Sequence, residues 1–396
     1  MNKENKDEVI TFDGKEPEKK KKKKTLIIIL LIILALLIFI SAFVGKFVSD
    51  KLGLIDYDDK GQTTIDPTQE FVDVDDDKLD FAQIDDAGGS DFKDILKNWA
   101  TNGGEKMSSK NIINVLLIGS DASAEDPKRA DITEKGNTDV MMLVSIDKKG
   151  KTIKLASFMR DSYTYMDGFD RYAKLNAACM NGGPAYLCET IENDYKIEID
   201  GYALVDFDSF TQVIDVLGGV RVDVPAYVAN HLNKSKDFKD INEIASGENV
   251  LLDGKQALAF SRVRKTDADG DVSRVKRQRQ VIDAIINKCK SASLTEINDV
   301  ADVILANVRT NISKREILNY ATQAVANGWA GYKITEITMP TEDARYGYRG
   351  SAWIWVVDYP LAAQNLQKEL YGTTNIKLEE NRKTAISVMG GYVTKR

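Results

Sequence analysis

NIINVLLIGSD, residues 111–121, decides what kind of molecule this is. Its apolar, partly β-branched run is stopped by Gly119, Ser120 and Asp121, and it reads as a strand buried on both faces. The same texture returns in TDVMMLVSID (138–147), KTIKLASFMRD (151–161) and GYALVDFDSF (201–210). Helical patterns lie between and after these runs. GGPAYLCETIENDY (182–195) has Pro184 near its start. DSFTQVIDVLGG (208–219) offers Asp208 or Ser209 as a cap, Phe210, Val213, Ile214 and Leu217 on one face, and a glycine stop. DVSRVKRQRQVIDAIINKC (271–289), KREILNYATQAVANG (314–328) and YPLAAQNLQKELYG (359–372) follow, with a strand-like YKITEITMP (332–340). Strands alternating with helices predict a layered α/β domain.

Composition narrows the chemistry. The 396 residues carry a net charge of −7 and a single histidine, His231. One histidine excludes histidine-rich zinc sites, and it excludes a Ser-His-Asp hydrolase unless His231 serves it. Acid–base work falls to carboxylates or a lysine. The three cysteines, Cys179, Cys188 and Cys289, form no CxxC pair. Cys179 and Cys188 are close enough in sequence to bridge, or to be two buried thiols.

Near the N-terminus, Thr25–Val44 is an apolar run without a charge, preceded by the unbroken Lys19–Lys24. As a helix it would be about 30 Å long, enough to cross a bilayer core. The lysines predict that residues 1–24 are a cytoplasmic basic tail, 25–45 a transmembrane signal anchor, and the rest extracellular. Residues 46–110 are rich in aspartate, as in VDVDDDKLD, and read as an acidic extracellular stalk. Residues 111–372 then form the catalytic domain, and 373–396 a C-terminal tail.

Charge also gathers where the apolar runs end. Asp121 closes the first strand, Asp139 opens the second, and Arg160 and Asp161 close the third. Such strand ends are where α/β sheets build sites. Residues 261–280, SRVRKTDADGDVSRVKRQRQ, hold five arginines, two lysines and three aspartates. Arg262 and Arg264, two apart, share one side if the chain is extended there. Arg274 and Gln278 share one helical face, Arg277 lies beside them, and Arg279 faces elsewhere. Forked guanidinium groups converging from two elements suit a pyrophosphate. Asp121 and Asp139 suit Mg²⁺, which takes one or two carboxylates plus phosphate oxygens. Asp271 is the candidate base for an attacking hydroxyl. No P-loop GK[ST] is present, so a nucleoside triphosphate is not the implied donor.

Over residues 111–372 the chain resembles the LytR-CpsA-Psr family of bacterial cell-envelope proteins. The resemblance rests on NVLLIGSD, TDVMMLVSID, MRDSY, KLNAACMNGGP, VDFDSFTQVIDVLGGV, LLDGKQALAFSRVR and DGDVSRVKRQRQVI, in that order. It implies an α/β fold with a central mixed sheet sandwiched by helices, and an apolar tunnel for a lipid. It implies a phosphotransferase that takes an anionic glycopolymer, such as teichoic acid or capsule, from a polyprenyl pyrophosphate carrier. The polymer is joined to peptidoglycan through a phosphodiester, releasing polyprenyl phosphate; no nucleic acid takes part. By motif, Asp121 and Asp139 resemble the ligands of Mg²⁺, with Mn²⁺ as alternative, and Arg160, Arg262 and Arg264 the pyrophosphate grip. Arg274, Arg277 and Gln278 resemble head-group contacts, Asp271 the base, and Lys174 and Asn176 lie in the family's KLNAA element. Asn137 and Met159 depart from the family's arginine and proline, and Arg129 could restore the lost charge. Two other readings stay open, a polyprenyl pyrophosphate hydrolase using water and a non-catalytic envelope regulator or transcriptional attenuator.

Overall fold

In the computed structural model of the chain, the described residues are 50–58, 71, 81–120, 138–235, 241–263, 271–291, 299, 302–303, 305–306, 308–349 and 353–389. The chain divides into two units, residues 1–53 and 54–396. Of the first, the described part is the helical turn at Asp50–Leu52 and Gly53. The expected anchor, 25–45, and the basic tail lie outside the described residues. Among those described, no helix is long and apolar enough to cross a membrane.

The second unit is built on a seven-stranded mixed sheet. Its strands are β1 (Asp56–Tyr57), β2 (Ile112–Ser120), β3 (Thr138–Asp147), β4 (Thr152–Phe158), β7 (Gly201–Asp206), β10 (Val308–Thr310) and β11 (Lys333–Met339), in spatial order β1-β10-β7-β2-β3-β4-β11. β2, β3 and β4 form an antiparallel meander, while β7 joins β2 and β11 joins β4 in parallel. Three hairpins stand apart from it. They are β5–β6 (Tyr163–Met166, Arg171–Lys174), β8–β9 (Val220–Val224, Gly247–Leu252) and β12–β13 (Arg345–Arg349, Trp353–Val357).

Alternating side chains send the two sheet faces to different helices. Leu116, Ile118, Met141, Leu143, Ala156 and Phe158 face the main core. Helices α1 (Phe81–Asn102), α2 (Ala177–Tyr195), α8 (Tyr359–Tyr371) and the short α9 (Ala385–Val388) pack on it. Ile113 on the opposite face meets Trp329 and Tyr332, with Tyr320 of α7 (Lys314–Asn327) beside them. A second cluster joins α3 (Phe207–Val216), α4 (Ala226–Lys234), α5 (Gly254–Arg262), α6 (Asp271–Ser291) and the β8–β9 hairpin.

Two boundaries differ from those read in the sequence. The expected stalk, 46–110, includes α1, whose Phe92, Leu96 and Ala100 recur at helical spacing and are buried in the main core. Phe92 stacks on Tyr163 with centroids 5.9 Å apart. The stalk reading is therefore corrected over 81–102, where apolar burial outweighs acidic composition. The tail reading of 373–396 is corrected likewise over 385–389, since Ala385 and Met389 belong to the same core. Cys179 and Cys188 are both thiols, so no bridge joins them. The helix expected from Pro184 begins there after a break at Gly183, whose φ of 77° is left-handed; the preceding turn, from Ala177, is an addition.

Candidate active site

The site grows from one end of the sheet. β2 and β7 run parallel, as do β4 and β11, so their C-terminal ends fall together at the edge where α/β folds bind ligands. β3 returns antiparallel and starts at that same end. Its ladder with β2 steps from Gly119↔Val140 to Ser120↔Thr138, a bulge that falls at Asp139. Bulges of this kind re-aim side chains beside active sites. Ser120 precedes Asp121, and its partner Thr138 precedes Asp139, so the two expected metal ligands follow paired positions. Asp121 lies outside the described residues, and of Asp139 only the backbone is described.

After β4 the chain turns sharply, with the Ser162 amide donating to the Met159 carbonyl at 3.1 Å. The turn carries Arg160 and Asp161. The Trp355 amide of β13 donates to the Asp161 carbonyl at 2.8 Å, and the Leu175 amide donates to Ser162 O at 2.8 Å. The Asn176 amide, in turn, donates to Arg160 O at 3.3 Å. These bonds bring the end of β6 against the turn and deliver Lys174.

Asp161 is the hub. Its Oδ1 lies 3.1 Å from Lys174 Nζ and its Oδ2 3.8 Å from Arg160 Nε. Arg274, from α6, adds a third positive charge to its surroundings. Asp161 is 6% exposed, Lys174 4% and Arg274 1%, so the charges meet with little water between them. Burial alone would push the Asp161 carboxyl up. The charges of Arg160, Lys174 and Arg274 outweigh it and hold the group below the usual carboxylate range. Among the described residues three cations surround one carboxylate, a local bias that favours an anion. Orphaned groups at this end of the sheet agree. Ser162 Oγ, Asn176 Oδ1 and Thr138 Oγ1 are buried without a hydrogen-bond partner among the described residues, which buried polar atoms seldom tolerate.

The arginine-rich block separates by role. Arg274 is buried near enough to act on the Asp161 charge, and Gln278, one turn on, is buried too. Arg277 donates from Nη2 to the Val263 carbonyl and so ties α6 to the end of α5. Arg279 faces elsewhere, as its spacing implied. It bonds Ser157 Oγ at 3.1 Å, Ile337 O at 2.6 Å and Thr338 Oγ1 at 2.7 Å, docking α6 on β4 and β11. Arg262 ends α5 and is exposed. α5 itself is started by a reciprocal cap between Asp253 and Gln256. Gly254 then lets it lie against α3, where a Cβ would sit 2.2 Å from Thr211 O. Arg264, Asp269, Arg129 and Asn137 lie outside the described residues, and of Asp271 only its place as the first residue of α6 is described.

Asp161, at the centre of this charge cluster, is the residue the sequence reading underuses. It was placed at a strand end but given no role, although MRD sets it directly beside an arginine.

The strand ends of this α/β domain carry a cationic, largely buried centre, an environment that suits a phosphorylated ligand. The LytR_cpsA_psr family model matches residues 82–370, and the chain belongs to that family. It is 35% identical over 224 residues to a polyisoprenyl-teichoic acid–peptidoglycan teichoic acid transferase, TagV, of Bacillus subtilis strain 168. That stretch is 54% of this chain and 54% of TagV, about half the length of each. It is 32% identical over 279 residues to the TagU transferase of Bacillus mycoides, covering 69% of this chain and 82% of that protein. Among solved structures, TagT bound to LI-WTA superposes with a TM-score of 0.52 at 28% identity, covering 67% of this chain and 93% of TagT.

Proposed function

We propose that the chain is an extracytoplasmic phosphotransferase that moves an anionic glycopolymer from a polyprenyl pyrophosphate carrier onto peptidoglycan. The observation that carries this reading is the meeting of Arg160, Lys174 and Arg274 around Asp161 at the sheet's ligand-binding end. Family membership and the names of the TagV and TagU relatives support the same reaction.

In this mechanism the acceptor sugar hydroxyl attacks the phosphorus that bears the polymer. The bond from that phosphorus to the bridging oxygen breaks, and polyprenyl phosphate leaves with the electron pair. Arg160, Lys174 and Arg274 hold the diphosphate in line and balance the charge that builds on the leaving phosphate. Gln278 steadies the head group, with Asn176 beside it. Arg262 and Arg264 complete the grip from the end of α5. Asp271 takes the proton from the attacking hydroxyl. Arg277 keeps the α5–α6 connection in place. Asp121 and Asp139 would hold Mg²⁺ or Mn²⁺, which supplies further positive charge to the phosphate oxygens when bound.

The anchor belongs to the same proposal. The Lys19–Lys24 and Thr25–Val44 pattern sets the domain on the outer face of the cytoplasmic membrane, within reach of lipid donor and wall acceptor. A reporter at the C-terminus that is active only in the cytoplasm would contradict it.

The test of the reaction is to supply lipid-linked polymer with and without glycan acceptor. Coupled product formed in step with polyprenyl phosphate is expected. Phosphate release at the same rate without acceptor, and with no coupled product, would make the protein a hydrolase.

A further inference from the structure

Three buried or half-buried cations do not assemble unaided. Arg160 comes from the turn after β4, Lys174 from the end of β6 and Arg274 from α6; backbone bonds hold the first two segments side by side, but the charged ends must still be drawn to one point. Their mutual repulsion in a poorly hydrated site acts to splay them. Among the described residues Asp161 opposes this, pairing with two of the three and acting electrostatically on Arg274. Asp161 accepts from Lys174 through one oxygen and pairs with Arg160 through the other. Its own backbone is fixed from a third direction by the Trp355 amide.

We propose that Asp161 is a positioning residue for the transfer, a built-in counter-ion that gathers Arg160, Lys174 and Arg274 into the geometry the diphosphate meets. This rests on the transferase reading above and adds to it a residue that acts through its neighbours. Being an anion, Asp161 repels the phosphates it prepares for. That sign separates it from a binding residue. Removing its charge leaves ground-state attraction for the donor intact or stronger, while the alignment needed in the transition state is lost.

The experiment uses full-length protein in detergent and the isosteric Asp161→Asn variant, with three readings. Solvent exchange of the Arg160 and Arg274 Nε–H groups, followed by NMR and assigned with Arg→Lys variants, is expected to quicken by about tenfold as the cluster loosens. Affinity for inorganic pyrophosphate is expected to hold or tighten. Coupling under single turnover is expected to slow by about 100-fold, the scale of a misplaced reacting group. Asp161→Glu, which keeps the charge on a longer stem, is expected to recover part of the rate. Asp161→Ser, which also removes the charge, takes the place of Asp161→Asn should that variant not fold. Unchanged exchange and unchanged coupling in whichever variant folds would overturn the proposal. Loss of pyrophosphate affinity in parallel with rate would also overturn it, making Asp161 part of the general fabric. If wild-type protein couples nothing, yet exchange still quickens in the variant, the transferase reading fails and the gathering role of Asp161 stands.

Discussion

Arg274 is among the largest fully buried side chains in the chain, at 1% exposure. A buried guanidinium demands compensation, and here part of it comes from Asp161. Arg274→Ala is expected to weaken pyrophosphate binding by about 1.5–3 kcal/mol, the scale of a hydrogen bond to a charged group, read by calorimetric titration. Arg274→Lys is expected to recover little, since lysine lacks the planar fork. Asp194 behaves in the opposite sense to Asp161. It is buried beneath Thr164, whose Oγ1 lies 2.9 and 2.8 Å from its two oxygens, and burial pushes its carboxyl up to about 7 against the bonds from Thr164. Between about pH 4 and pH 7 the unfolded chain releases this proton while the native state keeps it. The group therefore costs stability as pH rises through that window, and the cost is complete above it. Asp194→Asn is expected to flatten this part of the profile, seen by comparing urea midpoints of variant and wild type at pH 4.5 and 7.5. At this scale the sequence reading recognised that the arginines were too many for a plain surface. It set Arg279 apart but could not tell Arg274 from Arg277, because neighbours on one helix diverge by angles that only packing resolves.

Helix α6 shows how an element can serve a site and the fold at once. Its first half sends Arg274 to the hub and Arg277 to the Val263 carbonyl, while Arg279 grips β4 and β11. Burial lowers the affinity of Arg279 for its proton, and Glu336, 3.6 Å away, compensates. Arg279→Ala is expected to destabilise the protein by about 1.5–3 kcal/mol in urea unfolding, because it strands polar partners on both strands. Pyrophosphate affinity is expected to stay within about threefold, since the lost bonds face the sheet and not the hub. A loss of affinity as large as that of Arg274→Ala would contradict this division. Most elements were legible from their periodicity: β2, β3, β4, β7 and β11 and helices α3, α6, α7 and α8 stand where apolar spacing put them. Helix α1 was missed. Its aspartates and paired glycines continue the acidic texture before it, yet Phe92, Leu96 and Ala100, with Ile95 and Trp99 beside them, mark a face that charge counting overlooks.

For the whole molecule, the α/β class was readable and the pairing of strands was not. β10 pairs with β7 and β1 with β10 across long stretches of chain, contacts that no local pattern encodes. The hub is non-local in the same way at one member, for Arg274 comes from α6, far along the chain, to act on the carboxylate that Arg160 and Lys174 pair with. Family motifs pointed to Arg160, Lys174 and Arg274 as members of one site, and the fold supplies the physical reason they can meet. The central claim is that this meeting point receives a diphosphate borne on a lipid. A crystal structure of the protein with a polyprenyl pyrophosphate tests it most directly. The account expects phosphate oxygens within hydrogen-bonding distance of Arg160, Lys174 and Arg274, with Asp161 still paired to Lys174. Density for the diphosphate elsewhere, with the three cations untouched, would contradict it.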